Sequence, residues 1–264
     1  MKTLTINGVE LAVLDRGRGR AVMLIHGFPL DHTMWDAQVE ALQSQYRVIA
    51  PDLRGFGRSG VAGPVVSMEQ FADDLAALLG ALRISEPLVL CGLSMGGYVA
   101  FQFWRKYAAR LRGLVLCDTR AASDSPEAAA GRREMAQRVL REGPAPLVDT
   151  MLPKLFAPDT REKHPEIVAA LQRVMLGTNP QGIAAAAYGM AERPDVTPQL
   201  GSITCPTLVI VGQADVISPP QEMRAIAQAI PRARLVEIAG AGHMAPLERP
   251  AEVSAALREF LAAL

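Results

Sequence analysis

Three residues set far apart in this 264-residue chain carry the types that chemistry needs: a serine, an aspartate and a histidine. Ser94 lies in "LVLCGLSMGGYVA", where a run of strand formers stops at Gly92 and a helical pattern begins just past the serine. G-x-S-x-G between a strand and a helix is the setting of a nucleophile elbow, a strained turn that lifts a serine hydroxyl above a sheet. Gly92 and Gly96 are expected to let neighbouring backbone pack close to the turn. The helix that follows turns its N-terminal N–H groups and positive dipole end toward a developing oxyanion. A serine hydroxyl is a poor nucleophile until a base accepts its proton. The histidines are His26, His32, His164 and His243. His243, in "EIAGAGHMAPLERP", follows the last strand pattern and precedes the last helix, at a strand end where open α/β sheets carry their reactive groups. Its imidazole suits proton exchange at neutral pH. His164 precedes a proline in a helical stretch and reads as solvated surface. Asp215, closing "PTLVIVGQAD", would orient the imidazole, and the order Ser94, Asp215, His243 fits an elbow nucleophile. Asp118, after "LRGLVLC", is the rival carboxylate, at the end of the strand next to the nucleophile's.

An oxyanion would need two backbone donors. Met95, directly after the serine, supplies one N–H. The other is assigned to Phe28 in "LIHGFPLDHTMW", where Gly27 is expected to let the chain turn and Pro29 to fix the backbone beyond. His26 is expected to hold this loop by hydrogen bonds. Phe28, Met95, Val216 and Met244 flank the catalytic positions, and Met151, Leu155 and Met190 are candidates to face a substrate from above. Apolar walls with adaptable methionines suit small or medium acyl groups. A dicarboxylate lactone would want an arginine there, and Arg132, Arg133, Arg138, Arg141, Arg161, Arg173 and Arg193 all lie in the helical stretch.

These groups must be positioned by a scaffold. "TLTINGVELAVL" reads as two strands around an Asn-Gly turn. Continuous apolar runs at 21–27, 46–52, 87–92, 111–118, 206–212 and 233–240 read as strands buried on both faces. Helical patterns lie between them at 34–44, 67–82, 95–108, 219–229 and 250–263. The alternation predicts an α/β fold with a mostly parallel eight-stranded sheet, helices on both faces and the hairpin as antiparallel edge. Residues 121–198 hold no strand pattern, but helical patterns at 126–142, 145–155, 165–176 and 180–191; "AAAA" at 184–187 reads simply as good helix sequence. This stretch is too long for a loop. It predicts a helical cap, or lid, inserted after strand 6, with residues 1–120 and 199–264 forming the core domain.

Composition narrows the functions. Half of the residues are hydrophobic and a fifth charged, which is globular rather than disordered. A net charge of zero and the lack of long basic runs give no support to nucleic-acid or anionic-membrane binding. No apolar stretch reaches bilayer length, and the charged, alternating N-terminus is not a secretory signal. Three scattered cysteines, Cys91, Cys117 and Cys205, read as free thiols in a reducing, cytoplasmic setting. No metal-ligand spacing and no dinucleotide-binding glycine motif is present, so neither a metal nor an organic cofactor is expected.

Taken together, "HGFPLDHTMW" (26–35), "APDLRGFGRSG" (50–60), "GLSMGGYVA" (92–100), "VGQADVISPP" (211–220) and "GAGHMAPLERP" (240–250) closely resemble the α/β-hydrolase fold superfamily over nearly the whole chain. The phrasing is most similar to the branch of 3-oxoadipate enol-lactonases, small carboxylesterases and cofactor-free perhydrolases. The resemblance implies a Ser94–Asp215–His243 triad, hydrolysis of a small-molecule carboxylic ester or lactone through an acyl-enzyme, and no metal. It also implies that Asp52, Arg54, Gly55, Gly57 and Ser59 shape a turn beneath the site. Serine rather than aspartate at 94 counts against the haloalkane dehalogenase and epoxide hydrolase branches. Phe28 stands where many perhydrolase-type relatives carry tryptophan, which counts against that activity. Two other readings remain: acyl transfer to an alcohol or peroxide, and a non-catalytic ligand-binding protein. Self-association is left open.

Overall fold

The computed structural model describes all 264 residues. Eight strands build one sheet: β1 (Lys2–Ile6), β2 (Val9–Arg16), β3 (Ala21–Ile25), β4 (Arg47–Pro51), β5 (Leu88–Leu93), β6 (Leu111–Cys117), β7 (Thr207–Gly212) and β8 (Ala233–Ile238). Their spatial order is β1-β2-β4-β3-β5-β6-β7-β8. β2 runs antiparallel to β1 and β4, and every other pairing is parallel. Asn7 and Gly8 both take positive φ (47° and 79°), which is why Asn-Gly closes the β1–β2 hairpin. β3, β5, β6 and β7 are almost wholly apolar, Arg112 near the start of β6 and Thr207 at the start of β7 excepted, because each is covered on both sides. Along β3, Met23 and Ile25 enter one core while Val22 and Leu24 enter the other. β8, read as fully buried, is the edge strand and is only partly covered.

The helices are α1 (Asp36–Leu42), α2 (Met68–Ala81), α3 (Met95–Tyr107), α4 (Pro126–Glu142), α5 (Ala145–Leu155), α6 (Pro158–Lys163), α7 (Pro165–Gly177), α8 (Pro180–Ala191), α9 (Pro220–Ala229), α10 (Ala245–Glu248) and α11 (Pro250–Ala262). Local chemistry sets several starts. Ser67, Ser125 and Asn179 cap α2, α4 and α8 through their side chains, and proline opens α4, α7 and α8. α2, α3 and α9 cover one sheet face; α1 and α11 cover the other. α4 to α8 all lie between β6 and β7. α6 and α10, of six and four residues, are too short to show a helical period in sequence.

Candidate active site

The elbow between β5 and α3 follows from three close approaches. Ser94 has φ 53° and ψ −115°, a conformation costly for a residue with a Cβ. A Cβ on Gly92 would lie 2.2 Å from the Gly96 carbonyl oxygen. One on Gly96 would lie 2.4 Å from the Ile25 oxygen, and one on Gly97 2.3 Å from Thr119 Oγ1. Neighbours then fix the turn. The Ser94 N–H donates to the Cys117 oxygen (3.0 Å), and Thr119 Oγ1 donates to the Ser94 oxygen (2.7 Å). Sequence reasoning did not single out Thr119; its signal would have been its place two residues past a strand that flanks the elbow.

The loops after β7 and β8 meet beside the elbow strand's neighbours. A Cβ on Gly212 would stand 2.0 Å from the Gly242 oxygen, so the two loops pack backbone to backbone. The Ala214 N–H donates to the Ala241 oxygen (2.8 Å). This brings together Asp215 and His243: Nδ1 of the imidazole lies 2.8 Å from Asp215 Oδ2. Asp215 Oδ1 accepts the N–H groups of Ile217 (2.7 Å) and Ser218 (3.0 Å). With Nδ1 donating to the carboxylate, Nε2 is the free base, and it is buried without a protein partner. His243 and Asp215 are 1 % and 4 % exposed, and Ser94 9 %, so electrostatic contacts here are weakly screened. Asp118 does not pair with His243. Its Oδ1 accepts the Gly212 N–H (2.8 Å), and its side chain lies against Asp215. Burial, then the neighbouring Asp215 and Cys117, push its pKa well above the carboxylate range.

The loop after β3 reaches the elbow directly. A Cβ on Gly27 would be 2.8 Å from a Leu93 methyl and 3.4 Å from Ser94 Cβ. The chain turns here as expected, the Leu30 N–H donating to the Gly27 oxygen (3.0 Å), but the φ of Gly27 is not positive, so it is the close approach that calls for glycine. Met95 opens α3, and its N–H is among the first-turn donors a helix cannot satisfy itself. Phe28 is buried and packs edge-on to Phe56. His26 braces the loop, as expected: Nδ1 contacts the Gly27 oxygen (2.9 Å) and Nε2 accepts the Leu53 N–H (3.0 Å). Burial lowers its pKa, which keeps the ring neutral for both roles. Beneath, Asp52 Oδ1 takes the His32 N–H and Nδ1, Asp52 Oδ2 takes the Arg58 N–H, and the Asp52 oxygen takes the Ser59 hydroxyl. Arg54 pairs with buried Asp74. Asp31, His32 and Asp52 offer ligand atoms within 4.8 Å of one another, a spacing that a cation could use. The Asp52 and Asp31 carboxylates are already engaged in shaping the turn, Asp31 by capping Thr33.

The remaining candidates are scattered by environment. Met95, Met190, Leu155 and Met244 are buried, the first two in the α3 core and the last two in the α11 core. Met151 is half-buried and touches both cores. Val216 points outward at 66 % exposure while its neighbour Asp215 is buried. Arg132 and Arg193 both pair with Asp124, and Arg193 stacks over Tyr98 at 4.2 Å; the other five arginines of 121–198 are exposed. His164 is exposed beside Glu166. Cys91 and Cys117 are buried free thiols, and Cys205 is half-buried and free. Glu248 went unnoticed in the sequence: its carboxylate accepts the N–H groups of Gly242 (2.7 Å) and Ala157 (2.8 Å), joining the His243 loop to the chain entering α6. No helix is long and apolar enough to cross a membrane.

Comparison with known proteins bears on the family and the fold. Residues 20–250 match the profile of the alpha/beta hydrolase fold. The chain is 32 % identical over 251 residues to 3-oxoadipate enol-lactonase 1 of Acinetobacter baylyi, spanning 94 % of this chain and 89 % of that protein. Among solved structures, a malate-bound thermophilic esterase from Thermogutta terrifontis superposes with a TM-score of 0.97 at 52 % identity, over 99 % of this chain and 98 % of that one. The enol-lactonase from Burkholderia xenovorans gives a TM-score of 0.92 at 32 % identity, over 99 % and 100 %.

Proposed function

This chain belongs to the alpha/beta hydrolase fold family, and from that premise we propose that it is a serine hydrolase of carboxylic esters or lactones. His243 takes the Ser94 proton as the hydroxyl attacks the carbonyl carbon. The N–H groups of Phe28 and Met95 hold the tetrahedral oxyanion, each worth about 2.7–4 kcal/mol to the transition state. His243 then protonates the leaving alcohol, and an acyl-enzyme remains. Water, deprotonated by His243, releases the acid and restores the serine. Asp215 keeps the Nδ1 proton in place and stabilises the imidazolium. The observation that carries the reading is His243: its Nδ1 is 2.8 Å from a buried carboxylate, and its Nε2 is left as a buried acceptor with no hydrogen-bond partner.

We read residues 121–198 as a cap that selects substrate over a core of 1–120 and 199–264. The pairing of Arg132 and Arg193 with Asp124 favours a neutral ester over a dicarboxylate lactone. The substrate is a small molecule, met in the cytoplasm; nucleic acid and membrane have no part in it. The test is p-nitrophenol release from acetate and butyrate esters. Ser94→Ala is expected to lower kcat by at least about 10⁴-fold. Retention of turnover in that variant overturns the assignment. A parallel panel of lactones, with and without a free carboxylate, decides between esterase and lactonase. Products formed with added alcohol or peroxide decide between hydrolysis and transfer.

A further inference from the structure

We propose that Asp118 is a positioning residue of this site: a neutral carboxylic acid behind Asp215 that donates its proton to the Asp215 carboxylate and so fixes the face presented to His243. The inference rests on reading Asp215 as the acid of the triad. Both side chains are buried, Asp118 completely. They lie in contact, and they hang from the same segment: the Gly212 N–H donates to Asp118 Oδ1, and the Gly212 oxygen accepts the Asp215 N–H (3.0 Å). Two carboxyl groups in contact away from water do not both ionise; one keeps a proton. The donor count says which. Asp215 receives three donors, from Ile217, Ser218 and His243. Asp118 receives one, and its Oδ2 is buried with no donor at all. An Oδ2 that carries a proton needs none; it becomes a donor, and Asp215 is the acceptor beside it.

The surroundings agree. The groups bearing on Asp118 are the Asp215 carboxylate, the Cys117 thiol and the Gly212 N–H, and burial with the first two disfavours its anion. Cys117 itself is held as a thiol by its contact with Cys91 and by burial. The Arg120–Glu222 pair, on the loop after β6 and on α9, is closed on itself. The backbone is also committed. Asp118 takes φ 43°, its N–H donates to the Ile210 oxygen (2.9 Å), and its oxygen accepts the Ser218 hydroxyl (3.1 Å). The next residue, Thr119, grips the Ser94 oxygen. One strained corner thus holds both the acid and the nucleophile.

The test compares wild type with Asp118→Asn and Asp118→Leu. Asparagine keeps an acceptor for Gly212 and a donor for Asp215, and it tolerates positive φ. Asp118→Asn is expected to keep kcat/KM within about threefold with an unmoved acid limb. Asp118→Leu leaves Asp215 short of a donor, so its charge falls more on the imidazole. Its kcat is expected to drop by about 10–100-fold with little change in KM, and its acid limb to move to higher pH. A protonated-carboxyl stretch in the infrared spectrum of wild type is expected to vanish in Asp118→Asn. Independently of activity, the raised folded-state pKa means that the folded chain holds one more proton than the unfolded chain between about pH 4 and that raised pKa. Wild type should therefore lose stability relative to Asp118→Asn as pH rises, by about tenfold in the unfolding constant per pH unit. Parallel stability curves, an unchanged infrared band, or an acid limb displaced by a full unit in Asp118→Asn each overturn the proposal. Failure of the hydrolase reading would show instead as undiminished turnover in Ser94→Ala. The infrared and unfolding measurements do not depend on it.

Discussion

Ser94 keeps its conformation only because its glycine neighbours leave room for other backbone. Gly96 is the sharpest case. Its missing Cβ would fall 2.4 Å from the Ile25 oxygen and 2.9 Å from the His26 oxygen, and main-chain atoms inside a sheet cannot swing away. Two effects oppose each other in Gly96→Ala. Alanine gains up to about 1 kcal/mol of helix propensity, while overpacking costs about 1–3 kcal/mol. The clash wins, and relief comes by lifting the first turn of α3 away from β3. That moves the Met95 N–H relative to Phe28, where a displacement near 1 Å can cost about 10²-fold in rate. Urea unfolding should therefore show net destabilisation, and p-nitrophenyl butyrate turnover should fall about 10–100-fold. Gly131→Ala on α4 is the control: nothing lies within 4 Å of that position, so propensity acts alone and stability should rise. Equal behaviour of the two variants would show that close packing is not what the elbow glycine provides.

At the scale of elements, α8 shows where periodicity and capping stop being informative. Its extent was readable from the helical pattern over 180–191 and its run of good helix formers, and the helix is found over Pro180–Ala191, capped by Asn179. Why the run is so small could not be read. Ala184 to Ala187 are all buried, and a Cβ on Gly182 or Gly189 would stand 1.9 Å from the Gly55 oxygen or 1.8 Å from the Val66 oxygen. The Val66 N–H also donates to the Ala185 oxygen (3.1 Å). Small residues let this helix lie backbone to backbone on the loops after β4. The partners are more than a hundred positions away, so no local pattern records them. α6 and α10 escaped for a different reason, shortness, and β8 misled because an apolar strand reads alike at an edge or in the middle. Gly182→Ala and Gly189→Ala should each destabilise by about 1–3 kcal/mol despite better helix propensity. Unfolding curves at or above wild-type stability would count against the close packing.

For the molecule as a whole, strand–helix alternation was enough to anticipate the sheet, since right-handed crossovers leave few ways to order parallel strands. It also carried Asp215 and His243 to neighbouring strand ends, β7 and β8, where their loops meet. The tie between the helical segment and the His243 loop was invisible, because Glu248 reaches 91 positions back to Ala157 and six back to Gly242. A Cβ on Gly242 would sit 2.6 Å from the Ala157 nitrogen, and the Met244 N–H donates to the Leu155 oxygen (3.0 Å). The end of α5 and the histidine loop are therefore packed and hydrogen-bonded to one another, with the Glu248 carboxylate as the shared acceptor. In Glu248→Gln one amide oxygen still accepts, but the NH₂ group faces a buried N–H. Leaving that donor unpaired costs about 1–3 kcal/mol, or roughly 2–10 °C in Tm for a chain of this size. Glu248→Ala loses both acceptors and should fall further. Hydrogen exchange gives the discriminating readout: the Ala157 and Gly242 amides, on opposite sides of the bridge, should lose protection together in either variant. Faster exchange at Gly242 alone would mean that the helical segment is held independently and that the histidine loop is not coupled to it.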